Sequence, residues 1–223
     1  MQPNDISVVR SRESVLSTNK VLRNTYTLLA MTLLFSAVAA GVSMFLNVPR
    51  GASLLCIIAA FVMLWFVLPR MANSSGGIYL VFAITGLLGF SLGPILSLYA
   101  SLANGPQIIA MAFGGTGVIF LALSAYVLTT KKDFSFMGGF LVAGLVVALI
   151  AIIGNIFLQM PALSLALSAV IILLMSGFIL YDTSRIIHGG ETNYILATIG
   201  LYISIFNIFQ NLLMLLGFAS GDD

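Results

Sequence analysis

The sequence predicts an all-α membrane protein, a seven-transmembrane-helix bundle with the last helix central. Its composition is the first observation behind this prediction. Hydrophobic residues make up 60% of the 223 residues and charged residues only 7%, whereas soluble domains carry about 25% charged residues. A soluble fold of this length could not bury so much apolar surface, so lipid must solvate most of the chain. The net charge of +2 is too small to suggest a nucleic-acid partner.

Seven long apolar runs are the second observation. A helix that spans the hydrocarbon core of a bilayer needs about 20 apolar residues, and short breaks, most of them marked by Pro or Gly, separate the runs. The runs cover residues 24–46, 51–69, 78–100, 106–129, 136–158, 162–181 and 193–216. The chain therefore divides into an N-terminal tail of residues 1–23, a membrane domain of residues 24–216 and a short C-terminal tail of residues 217–223. The tail is predicted to be loose or to form a short surface helix.

The basic residues predict the orientation of the chain. Arg50 lies alone on one side of the predicted membrane domain, and eight basic residues lie on the other. These eight are Arg10, Arg12, Lys20, Arg23, Arg70, Lys131, Lys132 and Arg185. Because basic residues accumulate on the cytoplasmic side, we expect a cytoplasmic N-terminus and, after seven spans, a C-terminus on the opposite side.

Small residues in the third run suggest how the helices pack. Gly89 and Gly93 form a G-x-x-x-G pair with Gly86 one turn earlier, and Pro94 should bend the helix directly after them. These glycines indicate close helix packing or, alternatively, a flexible joint beside a cavity.

Polar residues form one stripe along the last apolar run. Gly200, Ser204, Asn207 and Asn211 are spaced by four, three and four residues, which places them on one helix face. Such a face should contact protein or water rather than lipid, so the last helix is predicted to be central. The stripe serves either interhelical hydrogen bonds or the lining of a hydrophilic cavity, and Ser204, Asn207 and Asn211 are candidate ion-path residues.

Asp182 and Arg70 are the candidate gating residues. Asp182 follows the sixth apolar run without a polar step, and Arg70 ends the second run at the same predicted membrane face. An ion pair between them would lower the cost of placing either charge at depth and would act as a latch that protonation of the carboxyl releases. The alternative is that Asp182 is a solvated loop residue.

The segment after Asp182 contains the only histidine. His188 is a candidate pH sensor because histidine titrates near neutral pH, or else an ordinary loop residue. Gly189 and Gly190 predict a chain break rather than a phosphate-binding loop. Thr192 or Asn193 is suited to cap the last helix.

Other chemistry is not indicated. One Cys, Cys56, and one His cannot build a metal cluster, so neither a metal site nor a cofactor is predicted. No nucleophile-elbow, zinc-protease or dinucleotide-binding motif occurs, and the protein is not predicted to be an enzyme.

Three longer stretches resemble the Bax inhibitor family of membrane proteins. Residues 85–96, Thr-Gly-Leu-Leu-Gly-Phe-Ser-Leu-Gly-Pro-Ile-Leu, are similar to its glycine–proline signature. Residues 181–187 are similar to the end of its sixth helix, and residues 201–209 to its last-helix motif. Further matches at residues 16–26, 124–130 and 187–194 extend the resemblance over nearly the whole chain, within a bacterial branch of the family.

The resemblance implies an inner-membrane protein with two activities that are compatible with each other. Some members are pH-sensitive calcium leaks, which use one acid on the sixth helix, one on the seventh and an arginine latch on the second. Asp182 matches the first acid and Arg70 the arginine, but Ser204 stands where the second acid is expected, which weakens this implication. The partners that the family resemblance implies for a leak are calcium and protons.

The bacterial branch is associated with modulation of FtsH, the membrane-bound AAA protease, which it engages as a poor substrate or an inhibitor. The tail, with Arg10, Arg12, Lys20 and Arg23, suits such a protease because proteolysis starts at accessible chain ends. Binding of this protease is therefore the first functional hypothesis and a cation leak the second. A third, a small-solute transporter, has no substrate indicated by the sequence.

Overall fold

The computed structural model describes the backbone of residues 3–220 and the side chains of residues 18–220. This part of the chain is helical and contains no β-strand. A π turn at Met63–Val67 and a 3₁₀ turn at Ser135–Met137 join some of the helices. The α-helices are α1 (Pro3–Phe45), α2 (Arg50–Val62), α3 (Leu68–Met71), α4 (Gly76–Ser91), α5 (Gly93–Ala100), α6 (Gly105–Thr130), α7 (Gly138–Leu158), α8 (Pro161–Ile187) and α9 (Tyr194–Ala219).

Seven helical segments are long and apolar enough to cross a membrane, which confirms the predicted number of spans. They are numbered here in chain order as the first to the seventh span. Their bounds are Thr18–Phe45, Arg50–Met71, Gly76–Ala100, Gly105–Thr130, Ser135–Leu158, Pro161–Ile187 and Tyr194–Ala219. The protein is a multi-pass membrane protein, and most of the predicted boundaries lie within two or three residues of the observed ones.

The first span is the continuation of a much longer helix. α1 has 43 residues, which at 1.5 Å per residue is about 65 Å, whereas the hydrocarbon core is about 30 Å thick. The segment predicted to be a loose tail or a short surface helix is part of α1 from Pro3 onward, and the spanning part begins at Thr18 rather than at residue 24.

The sixth span is longer than predicted, and its end has a clear cause. The helix does not stop at the first charged residue but continues to Ile187. It ends where Gly189 adopts a φ of 76°, a left-handed conformation that favours glycine. The Gly190 N–H then donates to the Arg185 carbonyl at 2.8 Å and the Gly189 N–H to the Ile186 carbonyl at 3.3 Å, which is a Schellman ending. Asp182 consequently lies inside the helix and not in a loop.

Pro69 does not end the second span, contrary to the predicted break. Proline lacks an N–H group, and its ring clashes with the carbonyl four residues earlier in a regular helix. The chain accommodates Pro69 with the π turn at Met63–Val67, in which the Leu68 N–H reaches back to the Met63 carbonyl. The second span therefore continues through Pro69 to Met71.

The third span packs closely on the first through its glycines. A Cβ atom at Gly89 would overlap the backbone of Ser36, and one at Gly93 would overlap Ser43. The packing interpretation is confirmed for these two positions, where small residues let two backbones approach. The third span is also interrupted after Ser91, just before Pro94, as predicted.

The last helix is central, as its polar stripe predicted. The seventh span contacts the first, third, fourth and sixth spans. Leu201, Ile208 and Leu213 on this helix are completely buried. By contrast, the second and fifth spans present large apolar side chains outward, among them Trp65 (72% exposed) and Phe157 (82% exposed). Lipid is the solvent that suits such surfaces.

A buried hydroxyl network links three spans and was not predicted from the sequence. The Tyr202 hydroxyl on the seventh span donates to the Thr85 carbonyl on the third span at 3.1 Å. The Ser36 hydroxyl on the first span lies 2.6 Å from the Tyr202 hydroxyl oxygen. Because the tyrosine hydrogen is directed to Thr85, Ser36 is the donor in this second hydrogen bond. Since Tyr202 is only 1% exposed, water cannot replace these hydrogen bonds.

Tyr202→Phe is expected to destabilise the bundle because it removes the shared hydroxyl, which is the hydrogen-bond partner of the Ser36 hydroxyl and the interhelical donor to the Thr85 carbonyl. Interhelical hydrogen bonds in membranes contribute about 0.6–1.7 kcal/mol, so the thermal midpoint should fall by roughly 2–5 °C. Thermal unfolding in detergent measures the shift. Tyr79→Phe is the control, because Tyr79 is 79% exposed on the third span. Equal midpoints for both variants would contradict the stabilising role of the network.

Candidate functional site

Asp182 lies at the contact between the sixth and seventh spans. Its carboxylate packs against Gly200, where an added Cβ atom would lie only 2.8 Å from Oδ2 of Asp182. The first residue of the predicted polar stripe is therefore a glycine because the Asp182 side chain occupies the space next to it. Any larger residue at position 200 would displace the carboxylate.

The predicted ion pair between Asp182 and Arg70 is not formed in the structure. Arg70 is exposed at the end of the second span, and among the side chains of residues 18–220 the ion pair that forms joins Arg185 to Glu191 at 3.5 Å. Arg185 also donates to the Gly190 carbonyl at 3.0 Å. The arginine that follows Asp182 by three residues is thus engaged with the loop after the sixth span.

Arg70 and Asp182 nevertheless belong to the same end of the bundle. Asn193, which begins the seventh span, donates from its amide nitrogen to the Ala72 carbonyl at 3.0 Å and to the Asn73 side chain at 2.8 Å. Its side-chain oxygen accepts from the Ile195 backbone at 2.9 Å, so Asn193 is one of the two caps that the sequence predicted. This residue ties the connection after the second span to the connection after the sixth.

The three polar residues of the stripe bond mainly to their own helix. Ser204, only 2% exposed, donates to the Gly200 carbonyl at 3.2 Å. Asn207 donates to Ile203 at 2.8 Å, and Asn211 donates to Asn207 at 2.8 Å. These are bonds to the residue four positions earlier. The predicted interhelical hydrogen bonds of these three side chains are therefore not observed within the described part of the chain.

Asn207 does line a cavity. The cavity has a volume of about 170 Å³ and lies between the second, third and seventh spans. Gln210, one turn further along the seventh span, is the other polar residue at its wall, and the remaining lining residues are apolar. Asn207 thus lines a cavity, but the wall of that cavity is mostly apolar, and Ser204 is not part of it. The hydrophilic-cavity alternative for the stripe stays a prediction.

His188 lies at the boundary between the sixth span and the loop that follows the fourth. Its ring contacts the backbone carbonyls of Ser184 and Lys131. Among the predicted tail residues, Lys20 and Arg23 are exposed on α1, whereas the side chains of Arg10 and Arg12 lie outside the described residues.

A second hydroxyl cluster lies next to Asp182 and was also missed from the sequence. The Tyr26 hydroxyl on the first span contacts Ser124 on the fourth, and Thr183 on the sixth is 3.5 Å away. Both missed clusters centre on a tyrosine in an apolar helix, and the signal that could have indicated them is the choice of Tyr rather than Phe, since a buried tyrosine hydroxyl needs a partner.

A comparison with protein families agrees with these features. The family model described as "Inhibitor of apoptosis-promoting Bax1" matches residues 18–221. The chain belongs to the Bax inhibitor family. The match covers all seven spans of the structure, so the resemblance drawn from residues 85–96, 181–187 and 201–209 is confirmed.

Relatives within the Bax inhibitor family are similar over their full lengths. "Modulator of FtsH protease YccA" of Escherichia coli strain K12 is 55% identical over 97% of this chain and 98% of its own length. "Inner membrane protein YccA" of Escherichia coli O6:H1 has the same identity and coverage. A Vibrio cholerae protein known only as a membrane protein is 51% identical over 96% of each chain. These names confirm the predicted bacterial branch.

Proposed function

We propose that this protein is a non-enzymatic integral inner-membrane protein that binds the FtsH protease and modulates its activity. The observation that carries the proposal is the 55% identity, over 97% of this chain, to a relative named as a modulator of that protease. Such similarity over nearly the entire length, rather than over one motif, favours a shared partner.

The fold supports this function in a second way. α1 begins at Pro3, 15 residues before the first span starts at Thr18, so the helix extends about 22 Å beyond the N-terminal end of that span. In the orientation predicted from the basic residues, this extension is cytoplasmic, and so is the loop that joins Arg70 to the third span. Such an extension is a chain end from which a protease that acts on that side can start.

Affinity purification from Escherichia coli membranes tests the proposal. The full-length protein, extracted with mild detergent and captured through a C-terminal tag, should retain FtsH, whereas an unrelated seven-span protein captured in the same way should not. Failure of the full-length protein to retain FtsH after chemical crosslinking in intact membranes would refute the proposal.

The alternative function is a pH-sensitive calcium or cation leak that uses Asp182 with an Arg70 latch. The structure lends it less support, because Arg70 and Asp182 are not paired and Ser204 donates to its own helix. Calcium prefers six to eight oxygen ligands with several carboxylates. Among the described side chains, no three His, Cys, Asp or Glu residues come together.

Asp182→Asn distinguishes the two functions in a flux assay. If Asp182 gated a leak, removal of its charge would raise calcium entry into proteoliposomes severalfold, and the wild type would show a flux that changes between pH 6 and pH 8. Because Asp182 has no ion-pair partner that its charge could hold and no cluster of acidic ligands forms among the described side chains, we expect equal, low fluxes for both proteins at every pH. A pH-dependent flux that the substitution raises would establish the leak.

A further inference from the structure

The imidazole ring of His188 contacts both the end of the sixth span and the loop that follows the fourth span. Its Nδ1 atom lies 2.9 Å from the carbonyl oxygen of Ser184, in the last turn of the sixth span. Its Nε2 atom lies 3.1 Å from the carbonyl oxygen of Lys131. Lys131 opens the connecting loop, residues 131–134, between the fourth and fifth spans. One ring thus bridges chain segments that are 57 residues apart.

The two partners of the ring are both hydrogen-bond acceptors. A carbonyl oxygen only accepts hydrogen bonds, so each ring nitrogen must carry a hydrogen to bind its partner. Neutral imidazole has one N–H group and would direct a lone pair at the other carbonyl, whereas imidazolium donates from both nitrogens. The observed geometry therefore matches the charged form of His188.

The nearby Ser184 hydroxyl does not remove this requirement. It lies 3.4 Å from Nδ1 of His188 but closer, at 3.3 Å, to the carboxylate of Asp133. It also accepts a hydrogen bond from the Phe134 backbone at 2.8 Å. Its single hydrogen is best used toward the charged carboxylate, so Ser184 forms a second attachment of the connecting loop rather than a donor to the ring.

The connecting loop needs such attachments because its conformation is unusual. Lys131 has a φ of 52°, a left-handed value that strains the backbone of a residue with a side chain. This conformation turns the Lys131 carbonyl toward His188. The hydrogen bond from the ring offsets part of the strain, so loss of the bond should loosen the loop.

Some charges around the ring favour the charged form of His188 and others disfavour it. The carbonyl end of the sixth span favours a cation at His188. Asp133 favours it too: hydrogen bonds from Ser135, followed by smaller contributions from Ser184 and the His188 charge, hold the pKa of its carboxyl below the ordinary value. Lys131 and Lys132 oppose the cation.

Two charged neighbours of the connecting loop and the helix end, Lys132 and Arg185, have partners of their own. The Lys132 ammonium is turned to the Tyr126 hydroxyl at 2.9 Å, and this hydrogen bond raises the pKa of Lys132. Arg185 is paired with Glu191 on the far side of the helix ending. The carbonyls of Ser184 and Lys131 therefore remain the hydrogen-bond partners of the ring, and Asp133 acts on it only through its charge.

We propose that His188 is a pH-controlled staple, which in its charged form fastens the connecting loop to the end of the sixth span and in its neutral form releases one of the two attachments. The direction of the pH effect follows from the two carbonyl partners. Acidification favours the charged ring, which holds both hydrogen bonds, and alkalinisation favours the neutral ring, which holds only one. By the predicted orientation this end is cytoplasmic, so the staple would respond to cytoplasmic pH and restrain the helix that carries Asp182.

Hydrogen exchange of the full-length protein in lipid nanodiscs tests the staple. Protection factors, corrected for the intrinsic effect of pH, are compared at pH 6 and pH 8 for the amides of residues 131–137. Loss of one hydrogen bond worth about 0.5–1.5 kcal/mol should lower protection about two- to tenfold at pH 8. The amides of residues 101–104, at the opposite end of the bundle, should not change.

Two substitutions distinguish the staple from a solvated histidine. His188→Arg keeps a permanent charge and several donors, so protection should stay high at both values of pH. His188→Gln has one amide donor group and no charge, so protection should be low at both. Because the chain has a single histidine, nitrogen NMR of histidine-labelled protein reports the ring directly, and its titration midpoint should coincide with the change in protection. A ring that titrates without any change in loop protection, or a Gln variant that retains the wild-type pH dependence, would overturn the proposal.

Discussion

Deletion of residues 1–20 is expected to abolish co-purification of FtsH with this protein. The deleted segment contains the whole part of α1 that precedes the first span at Thr18. An AAA protease needs an accessible chain end to engage, and the other connections on the predicted cytoplasmic side are short. Loss of the extension should therefore reduce the FtsH recovered to the level of an unrelated membrane protein. Immunoblotting of the purified material measures the loss.

Two control variants separate the length of the tail from its charge and from the opposite terminus. Removal of residues 221–223 should leave FtsH recovery unchanged, because that end is predicted to be periplasmic. Substitution of Arg10, Arg12, Lys20 and Arg23 by Gln should lower recovery only in part if chain length is the main requirement. Undiminished recovery after deletion of residues 1–20 would show that FtsH contacts another surface.

Gly89→Leu is expected to cause the largest loss of stability of any single substitution considered for this chain. A Cβ atom at position 89 would already overlap the carbonyl of Ser36, a backbone group that cannot rotate away. The third span would have to move off the first, and this motion would also disturb the Ser36–Tyr202 hydrogen bond. Overpacking commonly costs about 1–3 kcal/mol and sometimes more, so the midpoint of thermal unfolding should fall by roughly 10 °C.

Gly114→Leu provides the matched control for this prediction. Gly114 also lies within a spanning helix, but a Cβ atom there meets no neighbour within 4 Å. Leucine is a better helix former than glycine, which is the worst after proline and costs about 0.8–1 kcal/mol relative to alanine, so this variant should be as stable as the wild type or more stable. Similar losses for both variants would mean that the first and third spans are not packed through Gly89.

The spans could be predicted from the sequence because membrane insertion imposes a simple rule on length and polarity. About 20 apolar residues are required per span, and every run that met the rule became a helix. The ends were less predictable. The sequence predicts that the sixth span ends before the charge of Asp182, but a helix close to the membrane boundary tolerates a carboxylate, and the helix ends instead at the left-handed Gly189. The sequence also predicts a break at Pro69, but a π turn accommodates this proline.

The sequence indicates where the candidate site residues lie on the last helix. It does not indicate which hydrogen bonds and ion pairs they form. The spacing of Gly200, Ser204 and Asn207 correctly indicated the inward face of the last helix. It could not show that the two side chains bond within their own helix, because such bonds leave no pattern in the sequence. The choice of Arg185 and Glu191 as an ion pair depends on the path of the loop after Gly189. For Tyr202, the one indication in the sequence is that a tyrosine rather than a phenylalanine stands in an apolar helix, because a buried tyrosine hydroxyl needs a hydrogen-bond partner.

The rate at which FtsH degrades a membrane substrate in the presence of this protein is the most direct measure of its proposed role. FtsH, a tagged substrate and increasing amounts of the full-length protein are reconstituted together in proteoliposomes. Our account predicts that the rate falls severalfold in a saturable way, and that the variant without residues 1–20 has no such effect. An unchanged degradation rate at an excess of the full-length protein would contradict the account.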